Sequence, residues 1–385
     1  MSTRGDERDD SQAAHEEHSD AQVARALVDE GNALSKQGLD EDALARFDEV
    51  LQRFAGADEP ELRVQVGRAL VSKGASLVQL ERLDESMALC DEVVRRLEGE
   101  PGVAVRRLVC AALVNKAMTL DQRGRFEEAQ RLYEDVLQRL EGTHEVELQP
   151  IIATALVNKS VHLGHHGRGE EALMLVDEVL QRFGQTPEDA HLREAVARAL
   201  FTRSSLLSLV LDRPEESMAA CDELLRRFEG APEPSLRVVV AGALFNKANA
   251  LLTHLGEAEQ AMSLHAEVVR RCDALGIGTD SMVFASLMTQ AFMLPHLARS
   301  EQALSLFDEV LRRFGDSPEP GSRGHAPRAL VGKAELLEQL KRPQEALVPC
   351  AEALRRLGEP PEDERARELL AQALALKARL HKHLN

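Results

Sequence analysis

A short apolar phrase returns along this chain at a nearly constant step. "ALVNKAMTL" (Ala112 to Leu120) has close copies in "ALVSKGASL", "ALVNKSVHL", "ALFNKANAL" and "ALVGKAELL". With the opening residue as offset zero, the copies begin at Ala26, Ala69, Ala112, Ala155, Ala199, Ala243, Ser286 and Ala329, each 43 or 44 residues after the last. Such a period restricts the fold more than any composition does. Each copy is one supersecondary unit that cannot bury its apolar face alone, so the copies must stack.

Fixed columns show what the unit is. Offset +5 is always Gly, Ala or Ser and offset +8 is always Leu. A second small column follows: Ala43, Ser86, Ala129, Ala172, Ser217, Ala261, Ala303, Ala346. Leu62, Val66, Leu70, Lys73, Leu77 and Leu80 recur every three or four residues, which is one helical face. From Asp84, "DESMALCDEVVRRL" predicts a second, shorter helix, and breaker loops such as "AGADEP" separate the units. Each unit is therefore a long helix A, a tight turn often holding Gly (Gly38, Gly124, Gly167), and a helix B. The one-residue excess of the units at Ala199 and Ala243 is assigned to that turn. Small residues on both helices let their axes close to about 8 Å.

"ALVNKAMTLDQRGRFEEAQRLYEDVLQRL" (Ala112 to Leu140) resembles a tetratricopeptide repeat, whose small, Leu, Gly, aromatic, Ala and aromatic places fall on Ala117, Leu120, Gly124, Phe126, Ala129 and Tyr133. The resemblance covers nearly the whole chain. It is similar to the longer-period version in kinesin light chain and bacterial arrays. It implies an all-α fold, an α-solenoid of stacked antiparallel helix pairs forming a right-handed superhelix. The expected organisation is a solvated acidic tail over 1–20, then eight helix pairs over 21–367. Their bounds are 21–63, 64–106, 107–149, 150–193, 194–237, 238–280, 281–323 and 324–367, and a capping helix follows over 368–385. Two departures stand out: the family's usual Trp in helix A is Leu, and its usual Leu at offset +4 is Lys.

That Lys interrupts an apolar stripe, so it needs an explanation. Lys73, Lys116, Lys159, Lys247 and Lys333 occupy offset +4, as does Lys377 in a partial ninth copy from Ala373, with Arg203 in another unit and Glu30 and Gln290 as exceptions. Helix B carries acids in adjacent columns, Asp48, Asp91, Glu134, Asp177, Asp222 and Asp308, then Glu49, Glu92, Asp135 and their equivalents. One reading is a structural charge ladder, in which the stem packs on the stripe and the ammonium snorkels to a carboxylate. The other is a row of cations holding acidic ligand groups.

In the resembled family, helix A lines the concave face and ligands are short peptides or partner helices. The groove columns expected here are +2, +3, +6, +9 and +10. They put Asn115, Met118, Asn158, Val161, Phe201, Phe245, Asn246, Asn249, Met288 and Phe292 on the ligand side. Met288 and Phe292 belong to an aberrant unit, "SMVFASLMTQAFMLPHLA", which either exposes an adaptable Met and Phe surface continuous with Phe201 and Phe245 or is a degenerate unit that packs more tightly. Pro295 and Pro349 are expected to kink helices near that end. The family's carboxylate clamp uses a Lys at +2, which no unit has.

The formal charge of −18 disfavours nucleic acid and anionic membrane as partners. No apolar run has the roughly twenty residues of a membrane span, and a cytoplasmic location is the expectation. His162 and His166 lie one turn apart and are expected to be a surface pair at a helix end. The five Cys fall in core columns. No metal site, cofactor site or catalytic constellation is expected. The functional expectation is a non-catalytic protein- or peptide-binding scaffold. The sensor arm of a larger signalling or enzyme system, and a self-associating array or homo-oligomer, stay open.

Overall fold

The computed structural model describes residues 7–185, 188–276, 279–315, 324–358 and 364–384, and among them are seventeen α-helices and no strand. The helix pairs are α1 (Glu7–Lys36) with α2 (Asp40–Phe54), α3 (Pro60–Gln79) with α4 (Leu83–Leu97), α5 (Val103–Gln122) with α6 (Phe126–Arg139), and α7 (Gln149–His165) with α8 (Gly169–Phe183). Helices α9 (Ala190–Leu209) and α10 (Pro214–Phe228) follow, and the pairs continue with α11 (Pro234–Ala250) and α12 (Ala258–Leu275), α13 (Asp280–Met293) and α14 (Ser300–Phe314), and α15 (His325–Gln339) and α16 (Pro343–Leu357). Helix α17 (Glu364–Leu384) packs on α15 and α16. Helix α1 begins at Glu7, inside the segment expected as a tail, where Glu, Ala and Gln are good helix formers.

The chain divides into two compact units, Met1–Asp212 and Arg213–Asn385. In the first, α1, α3, α5 and α7 each pack on the B helix that follows and on the next A helix, α1 on α3, α3 on α5, α5 on α7 and α7 on α9, while successive B helices hardly touch. The A row is therefore the inside of the local curve. The second unit repeats this with α11, α13, α15 and α17. Each is a solenoid of stacked helix pairs.

The small columns are the hinge of each pair. All eight small residues of helix B, from Ala43 to Ala346, are completely buried. At Gly31, even a Cβ would come within 2.5 Å of the Phe47 ring. Where Gly74 meets Ser86, the hydroxyl donates to the Gly74 carbonyl at 2.8 Å.

Every A-to-B turn places one residue in the left-handed region: Gly38, Glu81, Gly124, Gly167, Asp212, Gly256, Ala298 and Lys341, with φ from 52° to 76°. In seven turns the backbone N–H just after that residue donates to the carbonyl of the invariant Leu, and in six of them, as in Arg125 to Leu120 at 2.9 Å, the five-residue span makes a Schellman closure. The excess residue of the Ala199 unit lies in its connection. That of the Ala243 unit instead lies in a π-helical turn, Leu251–Leu255, which accommodates one residue within a helix. Pro295 ends rather than kinks its helix: α13 stops at Met293 and a 3₁₀ turn, Leu294–Leu297, carries the proline. Pro349 lies inside α16.

The aberrant unit is corrected in one respect. Phe284 and Met288 are buried core residues, 6% and 3% exposed, in a cluster with Leu287, Phe307 and Phe314. Phe284 also lies flat on His325, ring centroids 3.7 Å apart. The bulky side chains fill the interior between helices, and only Phe292 reaches the surface among these three. The expected continuous strip through Met288 is not formed.

His265 of α12 occupies the core column that Phe47 and Tyr133 fill elsewhere. It is completely buried, with Nδ1 3.3 Å from Ser286 Oγ and Nε2 unpartnered. Burial pulls its pKa from 6.5 down to about 4.

Ala298→Gly should raise stability by about 0.5–1 kcal/mol in denaturant titration, since Gly tolerates positive φ, while Gly124→Ala should lower it. Because the folded pKa of His265 is depressed, its contribution is complete above pH 6.5 and lost as pH falls toward 4, with a ceiling of about 3 kcal/mol. Titrations at stepped pH should show this slope in the native chain and its loss in His265→Leu; an equal slope in both would refute the assignment.

Candidate functional site

The lysine column joins one helix pair to the next. Lys73 on α3 pairs with Asp48 on α2, Lys116 on α5 with Asp91 on α4 at 2.5 Å, and Lys159 on α7 with Glu134 on α6 at 3.8 Å. Arg203 on α9 pairs with Asp177 on α8 at 3.4 Å. In the second unit, Lys247 pairs with Asp222 at 2.5 Å and Lys333 with Asp308. The stems are sunk, with about a fifth to a third of each side chain exposed, while the acids are about half exposed. The partner is always the first acid column of the preceding B helix.

The exceptions explain themselves. Gln290 replaces the Lys where the preceding B helix has Ala266 in place of the acid. Glu30 stands in the first of the described pairs and turns to Arg46 of its own pair at 3.1 Å. At Gln290 cation and acid are lost together, whereas Lys377 of α17 keeps the cation although α16 has Ala351 in the acid column.

The second acid column does different work. Glu92 accepts from Arg95 and Arg96, and Glu309 from Arg312 and Arg313, which hold the Glu309 carboxyl down at about 2. The same arginines reach back to the preceding pair: Arg96 donates to the Ala55 carbonyl at 2.8 Å and Arg313 to Asp273 at 2.6 Å. A further motif was missed in the sequence. Arg82, Arg125, Arg168, Arg213 and Arg342 stand at the N-caps of B helices, each forking onto the Glu three residues later, as in Arg125 to Glu128 at 2.7 and 2.8 Å. The recurring R-x-x-E spacing was the available signal.

The expected groove residues divide by column. Offset +2 is buried at five of its eight places, Val28, Val114, Val157, Met288 and Val331, so it is chiefly core; Phe201 and Phe245 are half-buried. At offset +3, Asn158 is also buried, and Asn115 and Asn246 are half-buried. Offset +6 is the outward column: Met118 and Phe292 are exposed, and Val161 and Asn249 are half-buried. Met288 and Asn158 therefore lie beneath the surface, because an A helix packed on both its B helix and the next A helix has few sides left for solvent.

The histidine expectation is also corrected. His162 is buried, with Nδ1 2.7 Å from Asp121 Oδ1, and the Tyr133 hydroxyl donates to Asp121 Oδ2 at 3.2 Å. Only His166 is exposed, with its ring against Phe126. All five Cys are free and buried, and burial pushes the Cys90 thiol up to about 12. Among the described residues, no group of three or more His, Cys, Asp or Glu could hold a metal, and no helix is long and apolar enough to cross a membrane.

Tetratricopeptide-repeat family models match residues 109–145 and 297–357. Comparison with curated proteins gives no match. Among solved structures, the apo form of RapI is similar at 13% identity over 94% of this chain and 99% of that chain, TM-score 0.57. A Rap protein complexed with competence and sporulation factor gives 12% over 94% and 99%, TM-score 0.52. A signal transduction ATPase with a tetratricopeptide repeat sensor from Pyrococcus horikoshii gives 16% over 90% of this chain and 51% of that one, TM-score 0.54. At these identities the likeness is one of fold.

For the ladder, a double-mutant cycle on Lys116→Met and Asp91→Asn should return a coupling of about 0.2–1 kcal/mol that shrinks in high salt, as for an exposed pair. A coupling of several kcal/mol, or none at low salt, would show that the pair is not the connector described.

Proposed function

We propose that this chain, an array of tetratricopeptide repeats, is a non-catalytic scaffold that holds a peptide or protein segment on the face formed by its A helices. The observation that supports this most is the +6 column. It is exposed or half-buried at every place and carries both apolar and amide side chains: Asn32, Ala75, Met118, Val161 and Ser205 in the first unit, and Asn249, Phe292 and Glu335 in the second. The offset +4 cations are paired with intramolecular acids, which favours the ladder over a ligand-holding row. A mixed apolar and amide surface suits a peptide, whose backbone needs hydrogen-bond partners and whose side chains need shallow apolar contacts.

The acidic balance of the chain favours a protein partner over nucleic acid or an anionic membrane, in keeping with a cytoplasmic role. A regulatory setting, with this chain as the sensing arm of a larger system, is favoured by its likeness in fold to the ATPase described above as carrying a repeat sensor.

The test is an affinity capture from the source cells with the full chain as bait. Met118→Glu with Val161→Glu on the A row should lower recovery of the specific partner by about tenfold or more, since a buried unpaired charge costs several kcal/mol. Met174→Glu, on the exposed side of α8 (71% exposed), should leave it unchanged. Equal recovery by both, with both helical by circular dichroism, would defeat the reading.

A further inference from the structure

Offset −1 of an A helix faces offset +3 of the A helix before it. In the first such contact, Arg68 of α3 donates from Nη2 to Asp29 Oδ1 of α1 at 2.7 Å, and from Nη1 to Gln65 Oε1 at 2.8 Å. That cation has its anion. The same register between α7 and α9 brings Arg198 to Asn158, with Nη2 donating to the amide Oδ1 at 2.7 Å. The amide is neutral, and its Nδ2 is directed at Met118 Sδ, 3.2 Å away. Met118, Asn158 and Arg198 thus form one row across α5, α7 and α9.

Among the described residues, this is the one hydrogen bond Arg198 makes, and it has no ion pair. Glu194, one turn earlier on α9, acts on it only through its field. Arg203, the next arginine on the helix, is already taken by Asp177 of the ladder. Arg198 is half-buried, and burial pulls its pKa below the ordinary guanidinium value. A desolvated cation with no counter-charge in hydrogen-bond contact is costly, and a guanidinium has five N–H donors of which one is used here.

We infer that Arg198 is an acid-recognition point on the A-helix face, taking a carboxylate carried by a bound extended peptide. This rests on the peptide-holding reading above and names the chemistry it selects. A guanidinium grips a carboxylate through paired hydrogen bonds. The net charge of −18 repels free small anions, so the acid must arrive on a segment whose other contacts hold it in place. Asp29 closes the equivalent position at Arg68, which makes the recognition local to α7 and α9.

The test uses the full chain and three synthetic heptapeptide pools, their outer positions randomised among Ala, Leu, Val, Phe, Ser and Asn. One is capped at both ends with a central Asp, one is capped with a central Asn, and one has a central Asn and a free C-terminal carboxylate. Equilibrium dialysis with mass-spectrometric readout should show a carboxylate-bearing pool retained about tenfold over the capped Asn pool. The Asp pool leading identifies a side chain as the source, and the free-terminus pool leading identifies the terminus. The preference should vanish in Arg198→Gln and in Asn158→Asp, which supplies the counter-charge internally. Asn158→Asp should also raise Tm by a few degrees without any peptide.

Retention of the pools with no acid preference, or a preference that survives Arg198→Gln, overturns this inference alone. No retention of any pool overturns it together with the scaffold reading. An unchanged or lowered Tm in Asn158→Asp would mean that Arg198 already has its counter-charge, and the inference fails.

Discussion

The close approach of helix A to helix B is the constraint on which the rest of the structure depends. Gly, Ala or Ser on helix A meets Ala or Ser on helix B, and the helix B column is completely buried throughout. That contact sets the axis separation within a pair. The separation in turn decides which residues of the next A helix reach the pair. Gly31 shows how little slack exists, since the Phe47 ring occupies the space a Cβ would need. Large side chains then fill the gaps beside the contact: Phe47, Tyr133, His265 and Phe307 use one shared position of helix B.

Charge adds register to this packing. The offset +4 cations and the first helix B acids are separated by 25 residues wherever the hydrogen bond is close, as in Lys116 with Asp91 and Lys247 with Asp222. Such exposed pairs contribute little energy individually. They do specify which B helix an A helix follows, because a slipped unit would leave a sunken cation without its acid. The joint loss of both members at Ala266 and Gln290 fits that role. The arginines at the B-helix ends make a second set of connections, and together the two sets use much of the acidity of the outer surface internally.

This division of labour leaves the A face comparatively free of committed charge. The offset +6 side chains vary there while the columns on either side are constrained by packing or by the ladder. Arg198 is the informative departure, because the chain contains its own control in Arg68 and Asp29. A repeat protein offers this kind of comparison within one molecule: one register, two chemistries, and a difference that packing alone does not require.

Much of the fold was legible in the sequence. Period, helix pairs, turn positions and the small columns all follow from local spacing, since each unit contacts mainly its neighbours. The lysine and acid columns were legible as columns, but their partnership was not, because a 25-residue separation acquires meaning only once one pair is docked on the next. Burial was the other gap. Offset +2 and offset +6 look alike on a helical wheel, yet Val157 is core and Met118 is exposed. Met288 and Phe284 read as an open apolar strip, and His162 as a surface residue, because sequence spacing shows which side chains share a face and not what covers that face. The amino-acid sequence determined the unit, its period and its small contacts. Only the tertiary structure decided which faces are covered, because that depends on the neighbouring pair's position.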